Sequence, residues 1–207
     1  MLTGLSIRRV ANIWQKSPLK QNGTMYPDRL VIPTAAILFL LLAIFLAAPA
    51  SAVEGALEIS SPAFADGAAI APEFSCDGAG GSPPLMWSGV PQGTKSFALI
   101  AFDPDAPHGI FYHWVIFNLP ATARTLPAAV AKTENLAGGG DQGINSFRQI
   151  GYNGPCPPRG PAHHYHFKLY ALDSMLELKP GATAQTVEAA ISGHVLASAE
   201  LVGLFGH

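Results

Sequence analysis

The sequence predicts a mainly β, single-domain fold, and three observations lead there. Short apolar or alternating runs come first, and the one helix-favouring stretch comes late. Gly (21) and Pro (18) are both abundant, which suits many turns and argues against a helical bundle. The length of 207 residues accommodates one domain with a leader, divided here as 1–52 and 53–207.

In chain order, Glu54–Ile59 alternates weakly and predicts a first strand. Ser60–Ser82 is loop-like, broken by Pro62, Asp66-Gly67, Pro72 and Gly78–Gly81. Leu85-Met86-Trp87 is a short strand after two prolines. Ser96–Phe102 (SFALIAF) reads as a buried strand, ended by the prolines of Asp103–Gly109. Phe111–Leu119 (FYHWVIFNL) is aromatic and β-branched, as strands prefer. Pro120–Gln149 is a long, poorly patterned connection. His163–Leu172 (HHYHFKLYAL) is the third strong strand, Thr183–Leu196 favours helix, and Leu201–Phe205 closes with a short strand.

Charge is unequally divided. Before residue 53, Arg8, Arg9, Lys16, Lys20 and Arg29 face only Asp28; after it, seven Lys and Arg face thirteen Asp and Glu. An acidic body is a poor partner for a phosphate backbone, so no nucleic acid is expected. Ile37–Ala48 (ILFLLLAIFLAA) follows the basic leader and precedes Ala-x-Ala sites, which predicts a secretory signal peptide cleaved near Ala50 or Ala52. Leu30–Ala52 is also almost free of polar groups, so an uncleaved inner-membrane anchor facing the periplasm stays open, as does the start at Met1 or Met25. Either way the domain is periplasmic or secreted, and contact with a membrane is expected only through the leader. Cys76 and Cys156 both follow the leader; an even count in an oxidising compartment invites a disulfide, against two free thiols.

Three segments place polar residues beside strong strands. Asp103-Pro104-Asp105-Ala106-Pro107 ends a buried strand in a stiff loop. His113-Trp114 interrupts an apolar strand, where a histidine is more often a satisfied core residue. Gly151–Gly160 (GYNGPCPPRG) leads into His163-His164-Tyr165-His166. Strand alternation puts His163 and Tyr165 on one face and His164 and His166 on the other. Imidazole, phenol and backbone amides freed by glycine suit an oxyanion.

The runs SPPLMWSGVPQGTKSFALIAFDPDAP, HW, GYNGPCPPRG…HHYHFKLYALD and GHVLASAELVGLF together resemble the phosphatidylethanolamine-binding protein family, closest to its bacterial, Raf-kinase-inhibitor-like branch. The resemblance covers nearly the whole mature chain. It implies an antiparallel β-sandwich of Greek-key flavour with a few peripheral helices. It implies a pocket for a small anion or a phospholipid head group, between the DPDAP and GxxPP loops, with no cofactor. By motif, Asp103, His113, His163 and Tyr165 form that pocket, and Asp105, Trp87 and Pro155 line the same mouth. It places Cys76 and Cys156 beside the pocket, where a bridge is reasonable. A bare carboxylate repels phosphate, so Asp103 is expected to accept from an imidazole while His113 and His163 donate to the anion.

A non-enzymatic binding role is expected. Asp103, Asp105, His113 and His163 offer metal-ligand chemistry, but no HExxH spacing accompanies them. No G-x-S-x-G occurs, and Ser146 and Ser192 have no obvious base. Export makes a cytosolic kinase an improbable target. It leaves a protein partner open, an extracytoplasmic protease or a host protein, for which Pro120–Gln149 is the expected contact.

Overall fold

The three strong runs become the centre of one sheet: Ser96–Asp103 and Phe111–Pro120 are apolar on both faces, and His163–Leu172 is apolar on one. The computed structural model describes residues 55–207, and the expected leader lies outside them. Its strands are β1 (Glu58–Ser60), β2 (Ala68–Ala69), β3 (Leu85–Ser88), β4 (Ser96–Asp103), β5 (Phe111–Pro120), β6 (Thr125–Leu126), β7 (Asp141–Gln142), β8 (His163–Leu172) and β9 (Val195–Phe205), with one α-helix, α1 (Ala184–Ile191). They form a six-stranded sheet, β2-β9-β8-β4-β5-β7, and a three-stranded sheet, β1-β3-β6. All pairs are antiparallel except β2 with β9, so the architecture is the expected antiparallel β-sandwich.

Alternation along β4 divides its side chains between two layers. Phe97, Leu99 and Ala101 pack with Leu57, Ile59, Leu85, Trp87 and Leu126 between the sheets. Ala98 and Ile100 pack with Val115, Phe117, Val187 and Ile191 beneath α1. Each large side chain buried this way contributes about 1.5–3 kcal/mol, and β4 and β5 contribute on both faces. That double burial is why their sequences read as unbroken apolar runs rather than as alternation.

Several expectations change. The first strand is shorter than Glu54–Ile59: β1 begins at Glu58, and Glu54 lies outside the described residues. The helix ends at Ile191 instead of Leu196. Thr183 caps it by accepting from the Thr186 N–H (3.3 Å), and Gly193, at φ +86°, turns the chain away. The last strand is correspondingly longer than Leu201–Phe205. Val195 and Leu196, the end of the expected helix, lie in β9 instead, whose backbone pairs with β8 from Leu172, opposite Val195, onward. Sheet pairing over that length overrides weak local preference.

The long connection is not structureless, for β6 and β7 tie it to the two sheets. Gln142 is its anchor. Fully buried, it accepts from the Trp114 indole N–H (2.7 Å) and donates to the carbonyls of Ala131 (2.8 Å) and Thr133 (2.7 Å). Gln142→Leu orphans the buried Trp114 indole N–H and releases the Ala131 and Thr133 carbonyls, so chemical denaturation is expected to show a loss of about 1–3 kcal/mol. A loss under about 0.5 kcal/mol would show that this network does not hold the connection.

Candidate functional site

The end of β4 meets the start of β8 and the start of β5. Asp103 closes β4, is buried, and pairs in register with Phe111. One oxygen, Oδ1, accepts from the Asp105 N–H (2.8 Å), which folds the stiff Pro-containing loop back on itself. The other, Oδ2, lies 2.8 Å from His163 Nδ1. A carboxylate can only accept here, so Nδ1 carries the hydrogen and Nε2 is left for a ligand.

His113 is oriented differently. Its Nδ1 donates to the Asn153 carbonyl (2.7 Å), and the His113 carbonyl accepts from the Asn153 N–H (3.0 Å). Burial holds this imidazole below its ordinary pKa of 6.5. His113 is therefore a neutral ring at neutral pH, with a bare lone pair on Nε2. This revises the expectation that it simply donates to an anion: it does so only after taking up a proton. Tyr165 faces both histidine rings, with centroids 5.2 Å from His113 and 6.5 Å from His163. Burial first, and the Asp103 charge second, push its phenol well above the ordinary tyrosine range. It stays an O–H donor at any physiological pH.

These four side chains share one cavity of about 250 Å³, also lined by Pro107, Ile110, Phe111, Phe147, Cys156, Pro157 and Pro158. Among the described residues, no Lys or Arg lines it. Phe111 and Phe147 meet edge to face at 4.9 Å, and each flanks the His113 ring. The site is thus a small aromatic box with proton-bearing groups at one wall.

Three residues expected at the mouth lie elsewhere. Asp105 turns outward and accepts from the backbone N–H of His164 (2.9 Å) and from its Nδ1 (2.8 Å). That side-chain bond, above all, holds the Asp105 carboxyl below its ordinary range. Trp87 lies between the sheets, edge-on to Phe97 at 5.6 Å, its indole N–H buried without a partner. Phe97 is six positions from Asp103 along β4, or about 20 Å at strand spacing. Pro155 is buried and offers its carbonyl to the Cys76 N–H (3.0 Å), while Cys156, Pro157 and Pro158 make the wall. Gly154 has a related role. A Cβ there would come within 2.5 Å of the Phe74 carbonyl oxygen, so this glycine permits loop-to-loop packing rather than approach to a ligand.

Cys76 and Cys156 form a disulfide that ties these two loops beside the cavity. Two groups that the sequence did not mark complete the site. Phe147 comes from the unpatterned connection. Asn145, buried, holds that turn by accepting from the N–H groups of Phe147 (2.9 Å) and Gln149 (3.1 Å) and donating to the Gly151 carbonyl (2.9 Å). Asn beside Ser in a loop was the only available signal, and it marks many ordinary turns.

Residues 60–206 match the sequence profile of the phosphatidylethanolamine-binding protein family. The chain belongs to the phosphatidylethanolamine-binding protein family. The matched span is the described domain almost whole. Among relatives, the UPF0098 protein of Methanothermobacter thermautotrophicus is 47% identical over 149 residues, covering 72% of this chain and 98% of that one. LppC of Mycobacterium tuberculosis, named as a lipoprotein, is 45% identical over 159 residues, covering 76% and 75%. Two solved structures share the architecture. A phosphatidylethanolamine-binding protein homologue from Chlamydia trachomatis has 38% identity and a TM-score of 0.68, covering 73% of this chain and 98% of that one. YbcL of E. coli, described as a member of the mammalian family, has 33% identity and a TM-score of 0.69, covering 74% and 99%.

Proposed function

We propose that this family member is an exported, non-enzymatic binding protein whose cavity takes one small phosphate-like anion, free or as a phospholipid head group. The observation that carries the reading is the convergence of His113, His163 and Tyr165 on a single hollow. Tyr165 supplies a permanent donor. His163 is held in one tautomer by Asp103 and turns Nε2 to the ligand, where, as in His113, it donates only when that nitrogen also carries a proton. His113 becomes a donor on protonation. Because no fixed cation lines the cavity, a singly charged phosphodiester suits it better than a dianion beside Asp103.

Two features support binding over turnover. The lining offers no Ser or Thr hydroxyl. Ser146 uses its Oγ to accept from the Tyr112 N–H (2.9 Å), and Ser192 sits at the C-terminal cap of α1. Export is supported by the disulfide, which persists in oxidising compartments. A protein-contact role for Pro120–Gln149 draws on one observation. That connection borders an apolar hollow of about 670 Å³, lined by Leu119, Leu126, Val130 and Leu136 among others.

Calorimetric titration with dimethyl phosphate and with inorganic phosphate at about pH 6, where histidine begins to charge, tests the proposal. Saturable binding of one equivalent is expected, weakened at least about tenfold by His163→Ala, the usual worth of a charge-assisted hydrogen bond. No heat with either probe on the folded native chain would sink the reading.

A further inference from the structure

We propose that reduction of the Cys76–Cys156 disulfide creates a Cys₂His site for a divalent cation of the zinc type, completed by His207. The Sγ atoms of Cys76 and Cys156 and a ring nitrogen of His207 all lie within 4.8 Å of one another. In a tetrahedral zinc site, bonds of about 2.0–2.3 Å set ligand atoms about 3.3–3.8 Å apart, so small movements suffice. Among the described residues this is the one group of three such ligands.

Two observations make the reduced state a preformed site rather than two stray thiols. The loops are held together without the disulfide. The Cys76 N–H donates to the Pro155 carbonyl (3.0 Å), the Tyr152 hydroxyl to the Phe74 carbonyl (3.0 Å), and Gly154 packs on the Phe74–Ser75 backbone. His207 is also already oriented. Its Nδ1 lies 3.3 Å from Asp77 Oδ2, and its ring meets Phe205 edge to face at 5.7 Å. A carboxylate on one imidazole nitrogen, leaving the other for metal, is the usual second partner of a zinc-bound histidine.

The chemistry balances with a dithiol as reductant. It delivers two electrons and two protons and becomes a disulfide; the Cys76–Cys156 bond breaks and two protein thiols form. The cation then displaces both thiol protons to solvent. Bonds form to the two sulfurs and to His207 Nε2, and water takes the fourth position. A small disulfide takes the two electrons back and leaves as a dithiol, which re-forms the Cys76–Cys156 bond and releases the metal.

The purified full chain is reduced with a phosphine, freed of reductant under argon and titrated with Co²⁺. The expected result is a thiolate-to-cobalt charge-transfer band that reaches its plateau at one equivalent, is abolished by Zn²⁺ and is absent from the unreduced chain. His207→Ala and Asp77→Asn are each expected to weaken binding at least about tenfold, as loss of a ligand or of its orienting partner does. Joint replacement of both cysteines by serine removes the band. A reduced native chain without the band overturns the proposal, whether near-ultraviolet circular dichroism shows the loops folded or not. So does equal affinity in the native and His207→Ala chains, or a band surviving the cysteine replacement.

Discussion

Between about pH 8 and pH 6.5, the affinity of the cavity for dimethyl phosphate rises as pH falls, by up to about tenfold per pH unit for each imidazole that takes up a proton with the anion. The probe keeps a single charge throughout, so the slope reports the protein alone. Burial holds His113 below its ordinary pKa of 6.5, so the free site carries a neutral ring across this window. Its Nδ1 hydrogen is committed to the Asn153 carbonyl at 2.7 Å. An anion facing Nε2 is a poor neighbour for a lone pair and a good one for N–H⁺. Binding therefore raises the pKa, and the proton is taken up wherever pH lies between the free and bound values. The sign is fixed: lower pH, tighter binding, flattening once pH drops below the free value. Tyr165 contributes no slope, because its phenol is held far above the window. Isothermal titration at half-unit steps checks this. His113→Gln is expected to lower the slope by about one proton, and a flat native profile would show that no imidazole charges on binding.

Removing the disulfide is the second large effect. The bridge joins positions 80 apart, and chain entropy alone gives about 4.5 kcal/mol for closing such a loop. Native disulfides more usually contribute about 2–5 kcal/mol, and about 1 kcal/mol moves the midpoint of a domain this size by about 2–4 °C. Joint Cys76→Ser and Cys156→Ser replacement is thus expected to lower Tm by about 5–15 °C. The loops retain the Cys76–Pro155 and Tyr152–Phe74 hydrogen bonds, so the domain stays folded at room temperature. Calorimetric melts in the presence of a chelator separate this loss from any effect of metal. A Tm within about 2 °C of the native value would show that the remaining contacts hold the two loops equally well.

The residues in and around the cavity differ in how legible they are from sequence. His163 and Tyr165 were readable as one face of β8, whose bounds, His163–Leu172, coincide with the expected strand. Asp103 was readable as the rim of β4, because apolarity stops there. Trp87 was not: the resemblance put it at the pocket mouth, and only the packing of the three-stranded sheet on Phe97 shows it in the core. Phe147 gave no signal, since its position rests on Asn145 turning an otherwise unpatterned segment. Val195 and Leu196 fall within the expected helix and are a strand by pairing.

Local chemistry in the chain was enough to determine the mainly β class, the three central strands and the motif residues, because apolar period and proline act within a few positions. The tertiary structure alone decided the proton-bearing character of the site. The His113 tautomer depends on a carbonyl 40 positions away, the His163 tautomer on a carboxylate 60 away, and Asp105 is drawn out of the cavity by a histidine 59 away. Protonation preference follows burial and partners, and neither exists until distant segments meet.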